Sequence, residues 1–398
     1  MNAWRPVGCS AAVVLSVLCG AAAGQETRAE LIAEEQADKA TRLRPYEPSV
    51  AERVVTRAGR TMIETPGGFF PAFGSVYAGG GLALGGGYRQ YYGDRTFWDV
   101  KGLFSIRSYK LAEMTTSSPG HLQDRLDLYA RAGWRDATEV AFYGTGIDSP
   151  EDGRANFRLK ESYLTAGARL RPVQWVVLGA EASYQSFNTG DGAGIAPSIE
   201  QVFTPLTAPG LGASPTYVHL SASGGIDWRP AAGYARRGGL YELSYHKYAD
   251  RGEAHGFDRI DAQLVQHIPL LRENWVLSFR GQVQTTLDEA DVVPYFMMPS
   301  LGSGSTLRAY SSWRYHDRHS LLMSGEWRWI VNRLGFDMAL FYDTGKVASR
   351  RGDLDLKGLK SNVGIGARFH SPAATALRIE LAFGEEGPRL VFAGGAAF

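Results

Sequence analysis

From His319 to Gly384 the chain alternates, residue by residue, between apolar side chains and side chains that include full charges. In 319–330, Leu321, Met323, Trp327 and Trp329 share one face, and Ser320, Ser324, Glu326 and Arg328 the other, with Leu322 the one apolar exception. In 334–346, Phe336, Met338, Leu340 and Tyr342 oppose Gly335, Asp337, Ala339, Phe341, Asp343 and Gly345. In 359–370, Val363, Ile365, Ala367 and Phe369 oppose Asn362, Gly364, Gly366, Arg368 and His370, and in 377–384 Leu377, Ile379, Leu381 and Phe383 oppose Arg378 and Glu380. A period of two puts successive side chains on opposite faces of a strand, so each segment has an apolar face and a charged one. Two architectures accept such strands. In a soluble sandwich the apolar faces of two sheets meet; in a membrane barrel they meet lipid while the charges line the lumen.

The rest of the chain favours the barrel. Residues 1–24 carry one basic residue, Arg5, then an apolar run from Ala11 to Leu18 and small residues around Ala21–Gly24, the layout of a cleaved secretory signal peptide. Leu18 is bulkier than lipoprotein processing before Cys19 tolerates, so ordinary cleavage is expected. Beyond it, no run approaches the 18 apolar residues a spanning helix needs. The aromatics, 19 Tyr, 18 Phe and 9 Trp, recur near segment ends as interfacial girdles do, and many segments exceed the usual length of soluble strands.

Other classes lose support. Both cysteines, Cys9 and Cys19, lie in the expected leader, so the mature chain has no thiolate metal site, disulfide or cysteine nucleophile. The 42 basic and 41 acidic residues nearly cancel, giving no electrostatic case for nucleic acid. The eight histidines have no zinc-like spacing, and no cofactor motif is present: "GGGLALGGG" at Gly79–Gly87 precedes no helix pattern and reads as a glycine-rich first strand with close backbone approaches. "HDRHS" at His316–Ser320 sets histidines near a serine without the partners of a triad, so no catalytic residue is assigned.

Three regions are expected: the signal peptide, 1–24; a charged, aromatic-poor segment, 25–72, reading as two short helices in the periplasm; and a barrel, 73–398. "PYEP" (Pro45–Pro48) would break the helices, and Ser49 with Glu52 forms a capping box for the second. Fifteen alternating segments are legible, from 75–91, 95–114, 122–135 and 137–146 through to 375–384 and 388–398; an even number is the rule, so about 16 strands are expected. "GDR" (Gly93–Arg95) and "RPAAGYARRG" read as tight periplasmic turns, and 189–213 and 289–315 as long outer connections.

The chain ends "RLVFAGGAAF", with Leu390, Phe392 and Phe398 on one face, and this resembles the C-terminal assembly signal of outer-membrane barrels. "VVPYFMMPSLGSGSTLRAYSSWRYHDRHSLLMSGEWRW" followed by "DMALFYDTGKV" is similar to the closing part of BamA/TamA-like barrels, also called the bacterial surface antigen family, and "FYGTG" (Phe142–Gly146) resembles another of its segments. The resemblance implies that a long loop folds into the lumen and that its arginine, Arg308, pairs with Glu326 of "EWR" and Asp343 of "FYDTG". Glu326 and Asp343 fall on the polar faces already assigned from alternation, and a guanidinium has the donors to serve both. The chain departs from the family at Ala309, where glycine follows the arginine, and in 25–72, which is too short for one POTRA (polypeptide-transport-associated) module.

The resemblance implies a non-enzymatic outer-membrane barrel that assists insertion or passage of polypeptide, or lipid, through a weak seam between first and last strands, helped by glycine in Gly79–Gly87 and Gly394–Gly395. Outer-membrane lipid, unfolded polypeptides and a separate periplasmic accessory protein are the expected partners. The alternative is a passive pore or a structural barrel without insertase activity; a barrel enzyme acting on lipid has no motif to carry it.

Overall fold

The computed structural model describes residues 32, 34–38 and 67–398, apart from 272, 290, 333–334 and 372–373. The signal-peptide, "PYEP" and capping-box readings lie outside the described residues. Residues 32 and 34–38 are helical and exposed.

Sixteen antiparallel strands form one sheet that follows chain order and curls into a nearly closed barrel. They are β1 (Gly68–Gly74), β2 (Ala83–Tyr91), β3 (Phe97–Ser105), β4 (Lys110–Gly120), β5 (Leu126–Phe142), β6 (Ala155–Leu170), β7 (Val176–Asp191), β8 (Thr216–Asp227), β9 (Gly238–Asp250), β10 (Phe257–Leu270) and β11 (Trp275–Thr286), then β14 (His319–Asn332), β15 (Phe336–Ala348), β16 (Lys360–His370), β17 (Thr375–Gly384) and β18 (Gly387–Ala393). The two short strands between them, β12 (Ser300–Leu301) and β13 (Tyr315–His316), form a separate two-stranded ribbon, and His316 also bridges Thr145. Every neighbour in the large sheet is hydrogen-bonded to the next, but the end strands β1 and β18 share no ladder, which leaves a seam.

Apolar faces point outward. Leu340, Tyr342, Val363, Ile365, Leu381, Phe383, Leu390 and Phe392 are exposed, while Asp337, Asp343, Asn362, Arg368, Arg378 and Glu380 are buried. An apolar exterior around a polar, filled interior suits lipid rather than water outside. The connections also divide: 75–82, 143–154, 192–215, 287–318 and 349–359 lie at one end, and the shorter 92–96, 121–125, 171–175, 271–274 and 371–374 at the other, where the chain enters. At the long-loop end an apolar core sits inside the barrel, with Tyr295, Phe296 and Met298 of 287–318 packed among Phe142, Phe157, Phe187, Tyr217 and Phe257.

Strand boundaries differ from the sequence reading in three places. The strand before 75–91 is β1; it contains Pro71, which an edge strand tolerates because no neighbour needs its missing donor. The segment 95–114 is two strands, β3 and β4, joined by a turn without Gly or Pro: the Ser105 hydroxyl accepts from the amides of Arg107 and Tyr109, and Ser108 takes φ 62°. The segments 122–135 and 137–146 are one strand, β5, whose bulge between Ala137 and Val140 shifts the alternation. "RPAAGYARRG" is no tight turn. Its Tyr234 reaches β15 and β16, donating to Asp337 and stacking on His370 with ring centres 3.7 Å apart.

The glycines of 79–87 also divide. Gly79 and Gly81 lie in the loop after β1 with φ 88° and 72°, whereas Gly85 and Gly87 belong to the second strand. A Cβ on Gly85 would lie 1.8 Å from the Gly102 carbonyl oxygen, and one on Gly87 2.4 Å from the Phe70 ring, so close approach explains both.

Candidate functional site

The connection 287–318 turns into the lumen, and the β12/β13 ribbon pinches it so that 302–314 forms a closed inner loop. Gly302 takes φ 102°, and a Cβ there would meet the Ser311 carbonyl oxygen at 2.2 Å. Its carbonyl accepts from the Trp313 amide at 3.0 Å, and its amide donates to the Thr306 hydroxyl at 3.0 Å. The glycines and serines of "LGSGST" thus make a tight turn that delivers Arg308 to the wall.

Arg308 is 1% exposed. Its Nε and Nη2 donate to the two carboxylate oxygens of Asp343 at 2.8 and 2.9 Å, and Nη1 donates to Glu380 at 2.9 Å and to Glu326 at 3.4 Å. The guanidinium carbon lies 3.6 Å from the centre of the Phe341 ring. That ring has room because a Cβ on Gly364, the next strand's lumenal residue, would fall 2.3 Å from it.

Glu380 is a partner that the sequence reading did not assign, as are two further arginines. Arg368 forms a two-point contact with Glu326 and donates to Glu380 at 3.0 Å, and Arg378 donates to the other oxygen of Glu380 at 2.8 Å. Arg368 and Arg378 are direct cross-strand partners, a repulsive placement unless an acid sits between them, as Glu380, which accepts from both, does. Removing ions from water is costly, so such a cluster holds only while each charge is paired and hydrogen-bonded. Asp343 gains a further donor in Asn362 at 2.9 Å.

Ala309 stands where the resemblance expects glycine, and no positive φ is required of it. Its methyl fits because Gly384 of β17 has no side chain: a Cβ there would come within 2.9 Å of the Ala309 Cβ. "FYGTG" meets the inner loop's exit, with the Gly146 amide donating to the His316 carbonyl at 2.8 Å and Tyr143 beneath the Arg314 guanidinium at 4.8 Å.

The three C-terminal residues expected on one face separate. Leu390 and Phe392 point outward on β18 and are exposed. Phe398 does not: β18 ends at Ala393, Gly395 takes φ 77°, and the tail turns inward. Arg378 donates to the Gly395 carbonyl at 3.0 Å, and the Arg280 guanidinium lies 5.0 Å from the centre of the Phe398 ring, which faces His267 in parallel. Gly394 and Gly395 therefore end the last strand rather than weaken it from within. Among the described residues no group of three or more His, Cys, Asp or Glu is placed to hold a metal ion.

No protein-family model matches the sequence, and no curated protein matches it either. Solved structures do match in fold. The barrel is similar to BamA from Haemophilus ducreyi lacking POTRA domains 1-3, with a TM-score of 0.57 and 14% identity over 81% of this chain and 68% of that one. It is also similar to CdiB from Escherichia coli, with a TM-score of 0.55 and 14% identity over 81% of this chain and 59% of that one, so it spans less than two thirds of CdiB. At these identities the likeness is one of architecture: this sixteen-stranded barrel shares its fold with those two structures.

Proposed function

We propose that this barrel resides in the outer membrane and assists insertion or passage of polypeptide, or lipid, with the work done at the seam between β1 and β18. The observation that carries this reading is the pair of unladdered end strands in a sheet otherwise continuous through sixteen. Their free N–H and C=O groups cannot stay unsatisfied in hydrocarbon, so the seam is where strand edges of another chain would be accepted. A passive pore has less support, because Arg308, Arg368, Arg378, Glu326 and Glu380 form a buried charged cluster inside the barrel.

Reconstitution tests it. The purified barrel in liposomes should speed the folding of a small unfolded β-barrel added from urea, relative to empty liposomes, and a disulfide engineered between β1 and β18 should abolish the gain. Steady ion conduction with no acceleration would favour the pore.

A further inference from the structure

We infer that adjacent residues Trp313 and Arg314 form a clasp that ties the two sides of the seam together from inside, Trp313 gripping the β1 side and Arg314 the β18 side. Trp313 takes φ 64°, a left-handed conformation unusual for a bulky residue, and it turns the two neighbouring side chains toward different walls. On one side the indole Nε1 donates to the Ala78 carbonyl at 2.9 Å and the ring stacks on Tyr77, with centres 5.0 Å apart and planes 19° apart. Both residues belong to 75–82, the loop leaving β1. Ser312 lies against the same loop, where Gly79 takes φ 88°.

On the other side, Arg314 pairs through Nε with Glu386 in the turn between β17 and β18. Its remaining nitrogens donate to Ser149, at 2.9 Å to the hydroxyl and 2.7 Å to the carbonyl. The same inner loop leans on β18 directly: a Cβ on Gly304 would fall 2.6 Å from Val391, and the Gly304 carbonyl accepts from Arg378 at 3.3 Å. Two walls that share no ladder are thus joined through one loop, itself fixed by Arg308. Strained residues cluster at clamps and switch regions, and Trp313 lies between two sets of specific contacts. Freeing either grip releases one wall while leaving the sixteen-stranded ladder intact.

The clasp rests on the reading that the seam opens, and the test separates the two. Spin labels are placed on outward positions Phe73→Cys in β1 and Leu390→Cys in β18, with Cys9 and Cys19 replaced by Ser, and distances are measured in lipid nanodiscs. The longer-distance population should rise about fivefold in Trp313→Phe, which keeps the stack and loses one hydrogen bond, and further in Glu386→Gln or Trp313→Ala. Folded gel mobility of each variant confirms that the barrel has formed, and Trp313→Phe supplies the readout if Trp313→Ala does not fold. A longer population equal in parent and variants overturns the clasp and leaves the opening seam standing. A single short distance in every protein overturns both.

Discussion

Arg308 and Asp343, 35 residues apart in the chain, meet in a two-point contact with both nitrogen–oxygen distances within 2.8–2.9 Å. Lysine cannot reproduce that fork, and alanine leaves Asp343 and Glu380 buried without their shared donor. Arg308→Ala is expected to cost about 3–5 kcal/mol and Arg308→Lys less. The temperature at which the purified barrel loses its folded gel mobility should fall in that order. An unchanged temperature for Arg308→Ala would exclude Arg308 as the loop's anchor.

Ala309 and Gly384 are complementary, so their substitutions should not add. Gly384→Ala forces two methyl groups together and is expected to cost about 1–3 kcal/mol. Ala309→Gly alone should cost less than about 1 kcal/mol, through the freedom gained by the unfolded chain. The double variant should recover most of the Gly384→Ala loss in urea melts; strict additivity would show that the two do not share the space.

Phe398 should behave differently from Leu390 and Phe392 outside the cell. The Phe398 ring packs on Arg280 within the lumen, whereas Leu390 and Phe392 face lipid. Refolding from urea into detergent needs no assembly machinery, so it isolates stability. Phe398→Ala is expected to lower the unfolding free energy by about 1–2 kcal/mol, and with it the urea midpoint, with Leu390→Ala and Phe392→Ala nearly neutral. If Phe398→Ala lowers the yield in cells but leaves this midpoint alone, recognition during assembly is its role.

What the sequence made legible follows from periodicity. In β14 to β17 every second residue faces the lumen, so Glu326 and Asp343 could be placed inward without any knowledge of their neighbours. Glu380, Arg368 and Arg378 stood on the same polar faces, yet nothing in a single strand says that Arg368 lies opposite Arg378; register across strands decides it. β1 was hidden because Pro71 and Gly67–Gly68 imitate a turn, and the inward tail because Gly394–Gly395 interrupts an alternation that continues on paper to Phe398. The Trp313–Arg314 arrangement depends on one positive φ at a residue type that gives no warning of it.

His316, at the end of β13, provides a pH test. Its imidazole lies between Phe142, with ring centres 5.3 Å apart, and Trp313, 5.8 Å away and nearly parallel. Burial pushes its pKa down to about 3 from an ordinary 6.5. Below about 6.5 the unfolded chain binds a proton that the folded protein refuses. The contribution is therefore complete above that pH and is lost as pH falls toward 3, at about 1.4 kcal/mol per pH unit. Burial moves the neighbouring Asp317 carboxyl upward, an opposite effect that parent and variant share. His316→Phe keeps an aromatic ring between Phe142 and Trp313 but cannot titrate, so its urea midpoint should fall less than the parent's between pH 7 and pH 4.5. Parallel pH profiles would mean that the folded protein protonates His316 freely, and that the ring is not sealed within the loop.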